Sequence, residues 1–239
     1  MSVLRHDALS AAFDHAATRY DLMVAASPGY HGHLRRSARR LGLPDEGRGA
    51  HVLDLGCGTG ASTAAVLAAA RRARVTGVDA SPGMLERAAA KDWPPGVDFT
   101  RACADRLADA GVHGPFDAVF AAYLLRNVPD PDRTLASVRE VMAPGARIAV
   151  HEYTLGGRRV DRALWTAVCK SVIMPLGRVG GDAGLYEHLW RSVLDFDTAG
   201  AFAARMRRAG FVDVRVLPLP GWQWGITHTF VARAPGAAA

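Results

Sequence analysis

The segment Leu53-Asp54-Leu55-Gly56-Cys57-Gly58-Thr59-Gly60 sets three glycines at alternate positions behind a carboxylate, where a short apolar run gives way to a helical one. Glycines at such a turn allow positive φ and let a ligand approach the backbone closely. In open α/β sheets, ligands bind at the carboxyl ends of the strands, near the point where strand order reverses. The spacing is G-x-G-x-G rather than the G-x-G-x-x-G of dinucleotide sites, and Asp54 stands directly before it. That carboxylate repels a pyrophosphate and welcomes an ammonium. A nucleoside that carries an aminoacyl group and no phosphate satisfies both conditions, which describes S-adenosylmethionine. Two further acids follow in strand order. Asp79 ends the next strand, where a carboxylate can accept both ribose hydroxyls, and Asp105 lies past the third, placed for an adenine amino group with Ala104 lining the ring. The competing reading is a tight strand-to-helix turn with aspartates at exposed strand ends.

These residues need strands and helices in alternation to hold them, and the chain supplies that pattern. Apolar runs at 51–55, 75–78, 97–102, 116–122 and 147–153 read as five strands. Between them lie helices, two of them opened by a capping residue and a proline, Ser81-Pro82 and Asp130-Pro131. Uniformly apolar strands separated by helices predict a parallel sheet covered on both faces. A helix over His6 to Ala26 and a second reaching about Leu41 form an N-terminal helical cap, residues 1–44. The core spans 45–239 and carries a helical insertion at 156–197. Two final strands, 211–217 and 225–233, complete the expected fold: an α/β, doubly wound, Rossmann-like, mostly parallel seven-stranded sheet.

The chain of 239 residues is 49% hydrophobic and 22% charged, a globular composition with no disordered or collagen-like bias. The longest uncharged apolar run, Ala118 to Leu125, is far short of the roughly 20 residues that span a bilayer. No secretion signal is read at the start, so a cytoplasmic location is expected. Three distant cysteines form neither a disulfide framework nor a CxxC site, and no HExxH pattern occurs, so no metal is expected. The formal charge is +6 and nearly all of the basic residues are arginines, densest at Arg35, Arg36, Arg39 and Arg40 and again at Arg205, Arg207 and Arg208. Such groups serve an anionic partner or simply form a solvated face.

The chain resembles class I S-adenosylmethionine-dependent methyltransferases and, within them, the ubiquinone/menaquinone C-methyltransferase family. The resemblance rests on the 53–60 loop and Val78-Asp79-Ala80-Ser81-Pro82-Gly83-Met84-Leu85. It also rests on Phe116-Asp117, Leu125-Arg126-Asn127-Val128, Glu152-Tyr153 and the Tyr186 to Phe196 segment. Met23-Val24, Pro144-Gly145-Ala146 and the Trp222, Trp224, His228 strand depart from the family pattern, and they fall where an acceptor pocket would be shaped. The expected cofactor set is Asp54, Gly56, Cys57, Gly58, Gly60, Asp79, Ala80, Met84, Ala104, Asp105 and Tyr20, with Cys57 itself readable as a small neutral filler. S-adenosyl-L-homocysteine is the expected product.

If the acceptor is a ring carbon, as the resemblance implies, a neighbouring hydroxyl must ionise, and Arg126 is placed to stabilise the oxyanion. Its structural alternative is an ion pair with Asp130 or Asp132. His151 and His228 are the candidate bases, with Glu152 and His188 beside them; each is equally readable as a satisfied core residue. Tyr20 and Tyr123 either close over the cofactor or pack in the core. The apolar insertion suits a hydrophobic small molecule, quinone-like or a polyketide phenol. A cyclase or pericyclase that keeps the fold and transfers no methyl is the alternative, as is a cofactor-binding scaffold. The end of the fourth strand lacks the Asn/Asp-Pro-Pro-aromatic motif of base methylation, so no nucleic acid partner is expected. Oligomeric state is left open, a homodimer included, and so is a peripheral membrane contact.

Overall fold

The computed structural model describes residues 29–175 and 183–236. The expected first helix, with Tyr20, lies outside the described residues, as does most of the 177–184 loop. In chain order the elements are α1 (Tyr30–Arg39), β1 (His51–Leu55), α2 (Ala61–Ala69), β2 (Arg74–Asp79), α3 (Pro82–Ala89), β3 (Val97–Arg101) and β4 (Phe116–Ala122). They continue with α4 (Pro131–Val141), β5 (Met142–Tyr153), α5 (Arg159–Val168), a π-turn at Cys169–Ile173, α6 (Ala183–Asp195), α7 (Ala199–Arg208), β6 (Val212–Pro218) and β7 (Thr227–Arg233). The strands form one seven-stranded sheet in the order β3-β2-β1-β4-β5-β7-β6. All pairings are parallel except those of β7, which runs against both β5 and β6. The expected fold class is the observed one.

Period-two alternation sorts the strand side chains between two cores. Val52, Ala118, Phe120 and Ala149 face α1 and α2, against Leu34, Ala38, Ala65 and Val66. Leu53, Val119, Ile148, Val150 and Phe230 face α4 and α7, against Leu135, Val138, Phe202 and Met206. A smaller cluster of Leu155, Trp165, Cys169, Val193 and Ile226 holds the helices after β5. Strand order reverses beside β1, whose neighbours are β2 and β4, so the glycine loop opens at the switch point.

The expected caps are the observed ones. Ser81 Oγ accepts from the Met84 N–H, and Asp130 accepts from the N–H groups of Asp132 and Arg133. Several boundaries shift from expectation, most of them by one or two residues and two of them by more. α2, the first helix of the α/β alternation, is expected from its apolar stretch over residues 62–73 but ends at Ala69, because Ala70 leaves the helical region and Arg71 and Arg72 turn toward Glu46. β5 begins at Met142 rather than Arg147, since Met142 pairs with Phe116 ahead of a bulge in register.

Candidate active site

The loop after β1 hooks over β2: the N–H groups of Gly56 and Cys57 both donate to the Val78 carbonyl, at 2.7 and 3.0 Å. Gly56, Gly58 and Gly60 all have positive φ, of 71°, 54° and 91°. Their surroundings differ in an informative way. A Cβ on Gly56 would sit 2.9 Å from Leu124 and one on Gly60 2.6 Å from Trp93, whereas one on Gly58 would meet nothing within 4 Å. The outer two glycines are needed for packing, and the middle one borders open space.

Asp79 shapes the loop from the neighbouring strand. Its Oδ2 accepts the Gly58 N–H at 2.8 Å and its Oδ1 the Ser81 N–H at 2.9 Å. Asp54 is fully buried; its Oδ2 accepts from Ser62 Oγ at 2.8 Å and Thr63 Oγ1 at 2.6 Å. Its Oδ1 is buried with no partner. Burial pushes the Asp54 carboxyl up to about 7, against the pull of the Thr63 and Ser62 hydroxyls and with a further push from Asp79. A buried carboxylate short of one partner favours a cation and opposes a phosphate. On that ground the residues fit S-adenosylmethionine, whose aminoacyl end is a cation and which carries no phosphate.

The other expected cofactor residues surround this loop. Met84 and Cys57 are buried. Burial raises the Cys57 thiol well above its usual range, and its sulfur packs close over Gly77 of β2. The Ala80 carbonyl accepts from Arg101 Nε. Ala104 packs against the α4-side core, while Asp105 has Arg106 and Arg133 at 3.9 and 3.7 Å. Two supports went unforeseen: Lys91 Nζ donates to the Thr59 carbonyl and Trp93 Nε1 to that of Ala88. They lie past α3, with no local signal pointing back to the loop.

A second group gathers at the carboxyl ends of β4 and β5. Arg126 Nη1 donates to Glu152 Oε1 at 2.5 Å and to the Tyr123 carbonyl at 3.1 Å, and the pair is buried. Burial raises the Glu152 carboxyl above its ordinary value, and the Arg126 guanidinium pulls it partly back. Arg126 does not use either expected acid. Asp130 caps α4, and Asp132 pairs with Arg205. Alternation alone could have found the partner, because Glu152 is a charge on an otherwise buried strand and requires one. The guanidinium lies 5.4 Å from the Tyr153 ring centre and 5.7 Å from that of Tyr123, which stack on each other. Arg126 Nε is buried without a partner.

The histidines sit around this pair in different settings. His188 Nε2 lies 3.1 Å from Asn127 Oδ1, while its Nδ1 is buried and unpartnered. Burial and then Arg126 lower its pKa to about 4. His151 is fully buried on the opposite face of β5, with Nδ1 2.8 Å from Ser37 Oγ and its ring edge-on to Tyr123. Burial, chiefly, lowers it to about 3. His228 faces Glu152 across the β5–β7 pairing and holds Thr154 Oγ1 at 3.0 Å, its pKa also lowered by burial. All three are neutral imidazoles at neutral pH.

Comparison with known proteins places the chain in a family. The profile of the ubiE/COQ5 methyltransferase family matches residues 1–228. The chain is 35% identical to the "Ubiquinone/menaquinone biosynthesis C-methyltransferase UbiE" of Desulfotalea psychrophila, over 90% of this chain and 88% of that one. It is 32% identical to the "Demethylmenaquinone methyltransferase" of Thermus thermophilus, over 83% and 90%. Among solved structures it resembles a SAM-dependent methyltransferase from Aquifex aeolicus, with a TM-score of 0.62 and 15% identity over 92% of this chain and 98% of that one. It also resembles phosphoethanolamine N-methyltransferase 2 of Haemonchus contortus in complex with S-adenosyl-L-methionine, with a TM-score of 0.64 and 17% identity over 93% and 57%. The chain therefore belongs to the ubiE/COQ5 methyltransferase family and is an S-adenosylmethionine-dependent methyltransferase.

Proposed function

We propose that the enzyme methylates a ring carbon of a hydrophobic quinone-like or phenolic acceptor. One observation carries this reading: Arg126, buried and fixed by Glu152, keeps an unpartnered Nε beside two stacked tyrosines. Such a donor in a low-dielectric, aromatic surround is what a developing phenolate oxygen needs. The names of the Desulfotalea and Thermus relatives support the same chemistry.

Bound S-adenosylmethionine supplies a methyl group already activated on a sulfonium, so the protein's work is alignment and charge. Asp54 and Asp79 hold the cofactor end at β1 and β2. Arg126 holds the acceptor's ionised hydroxyl, and Glu152 keeps the guanidinium in place through Oε1. Tyr123 and Tyr153, with Trp165 tilted behind Tyr153, wall the ring away from water. The carbon that gains the methyl must lose its proton. His188 Nδ1, neutral and unpartnered near Arg126, takes it, while Asn127 Oδ1 holds the ring through Nε2.

The test is a labelled-methyl assay against demethylquinones and phenolic polyketides. The expected result is one carbon-bound methyl and one S-adenosylhomocysteine per turnover, with Arg126→Ala at least about a hundredfold slower. Cofactor recovered intact beside a rearranged product would instead select the cyclase reading. A near-normal rate in Arg126→Ala would remove Arg126 from the mechanism.

A further inference from the structure

Large apolar side chains stand exposed at six described positions: Val160, Leu164, Val172, Val212, Trp222 and Trp224. All but Val212 belong to two neighbouring segments. Val160, Leu164 and Val172 recur at multiples of four residues along α5 and the π-turn that continues it, while Trp165 and Cys169 are buried on the inner face. Trp222 and Trp224, 48% and 61% exposed, ride on the turn Gly221–Gln223 and its exit. That turn is fastened to the start of α5, since the Gly156 N–H donates to the Gly225 carbonyl and Asp161 and Arg158 crowd Gly225. On its other side it meets α1: Gln223 lies beside the His33 imidazole, and Arg40 Nη2 donates to the Pro218 carbonyl.

α1 adds charge to this face. Among the described residues, Arg35, Arg36 and Arg39 have no carboxylate within ion-pairing distance. In the second arginine group only Arg205 is paired among the described residues, with Asp197 and Asp132, while Arg207 donates to the Val214 carbonyl. A cavity of about 640 Å³ opens between His33, Arg36, Arg39 and Arg40.

We infer that this face docks on an anionic bilayer surface, with Trp222, Trp224 and the α5 stripe at the headgroup–acyl boundary and Arg36 and Arg39 against lipid phosphates. Exposed tryptophans and an amphipathic helix next to uncompensated arginines are the combination that an interfacial site requires. Among the described residues no helix is long and apolar enough to cross a membrane, so the contact lies on the surface. A second copy of the chain fits less well, because a two-fold contact would bring the same arginines toward each other. A nucleic acid would leave the α5 stripe without an apolar partner.

Flotation of the full chain with vesicles tests this without turnover, so its outcome is independent of the acceptor. Vesicles of phosphatidylcholine with about one-third phosphatidylglycerol should carry the protein, and phosphatidylcholine alone should not, with binding lost as salt rises. Arg36→Gln/Arg39→Gln should weaken binding about thirtyfold and Trp222→Ala/Trp224→Ala about tenfold, both with unchanged circular-dichroism melts. No flotation with anionic vesicles, equal flotation with neutral ones, or variants that float like the wild type would overturn the proposal. So would a dimer in sedimentation that Trp222→Ala/Trp224→Ala dissociates.

Discussion

The two halves of the site solve opposite electrostatic problems. At β1 and β2 the protein buries Asp54 with one oxygen unsatisfied, and the uncompensated carboxyl rises to about 7. At β4 and β5 it buries Glu152 against Arg126, so each charge has its counter-charge within the chain. The first half is built from backbone and adjacent residues and is left incomplete for a cationic ligand. The second is internally neutral and keeps a spare donor, Arg126 Nε, with the unpartnered His188 Nδ1 nearby. Under the proposed function the first half takes the cation and the second the oxyanion, which suits a reaction between a sulfonium and a phenolate.

Removing one charge from the compensated half has the larger effect. Glu152→Ala should cost about 3–5 kcal/mol in urea unfolding, because it strands a buried guanidinium. Glu152→Leu/Arg126→Met should recover most of that loss while staying inactive. If the single variant proves as stable as the wild type, the pair is not the compensated unit described here.

The uncompensated half should respond to pH. With its pKa raised to about 7, Asp54 is protonated below that value and cannot attract an ammonium. Cofactor affinity, by calorimetry, should therefore fall by up to about tenfold per pH unit below 7 and level off above it. The stability of the unliganded protein should show the reverse sign. A raised carboxyl binds more protons folded than unfolded, so its contribution to stability declines as pH rises from about 4 to 7. Asp54→Asn should flatten both profiles; an unchanged affinity profile would place the ammonium elsewhere.

The same contrast explains what could be read from sequence. The glycine loop and the caps at Ser81 and Asp130 were legible because each is made within a few consecutive residues and carries its own turn chemistry, and Asp79 because it ends the strand after that loop. The mostly parallel sheet followed from alternation of apolar strands with helices. The Arg126–Glu152 pair was missed because its partners stand 26 residues apart, and Asp130 and Asp132 were nearer in sequence. The buried chain from His151 through Ser37 to Thr229 joins residues 114 and 192 positions apart. Nothing local marks Ser37 on an arginine-rich helix as a core residue. Both histidines expected to act as bases, His151 and His228, sit in buried hydroxyl-bonded settings that depend on tertiary packing alone.

Calorimetric titration of S-adenosylmethionine into Asp79→Ala and Arg126→Ala tests the division of labour most directly. The account predicts a loss of at least about a hundredfold in affinity for Asp79→Ala, where two loop N–H groups and the ribose lose their acceptor. Arg126→Ala should bind within about threefold of the wild type while methyl transfer collapses. Equal loss of affinity in the two variants would contradict it, since the two halves would then hold one ligand between them.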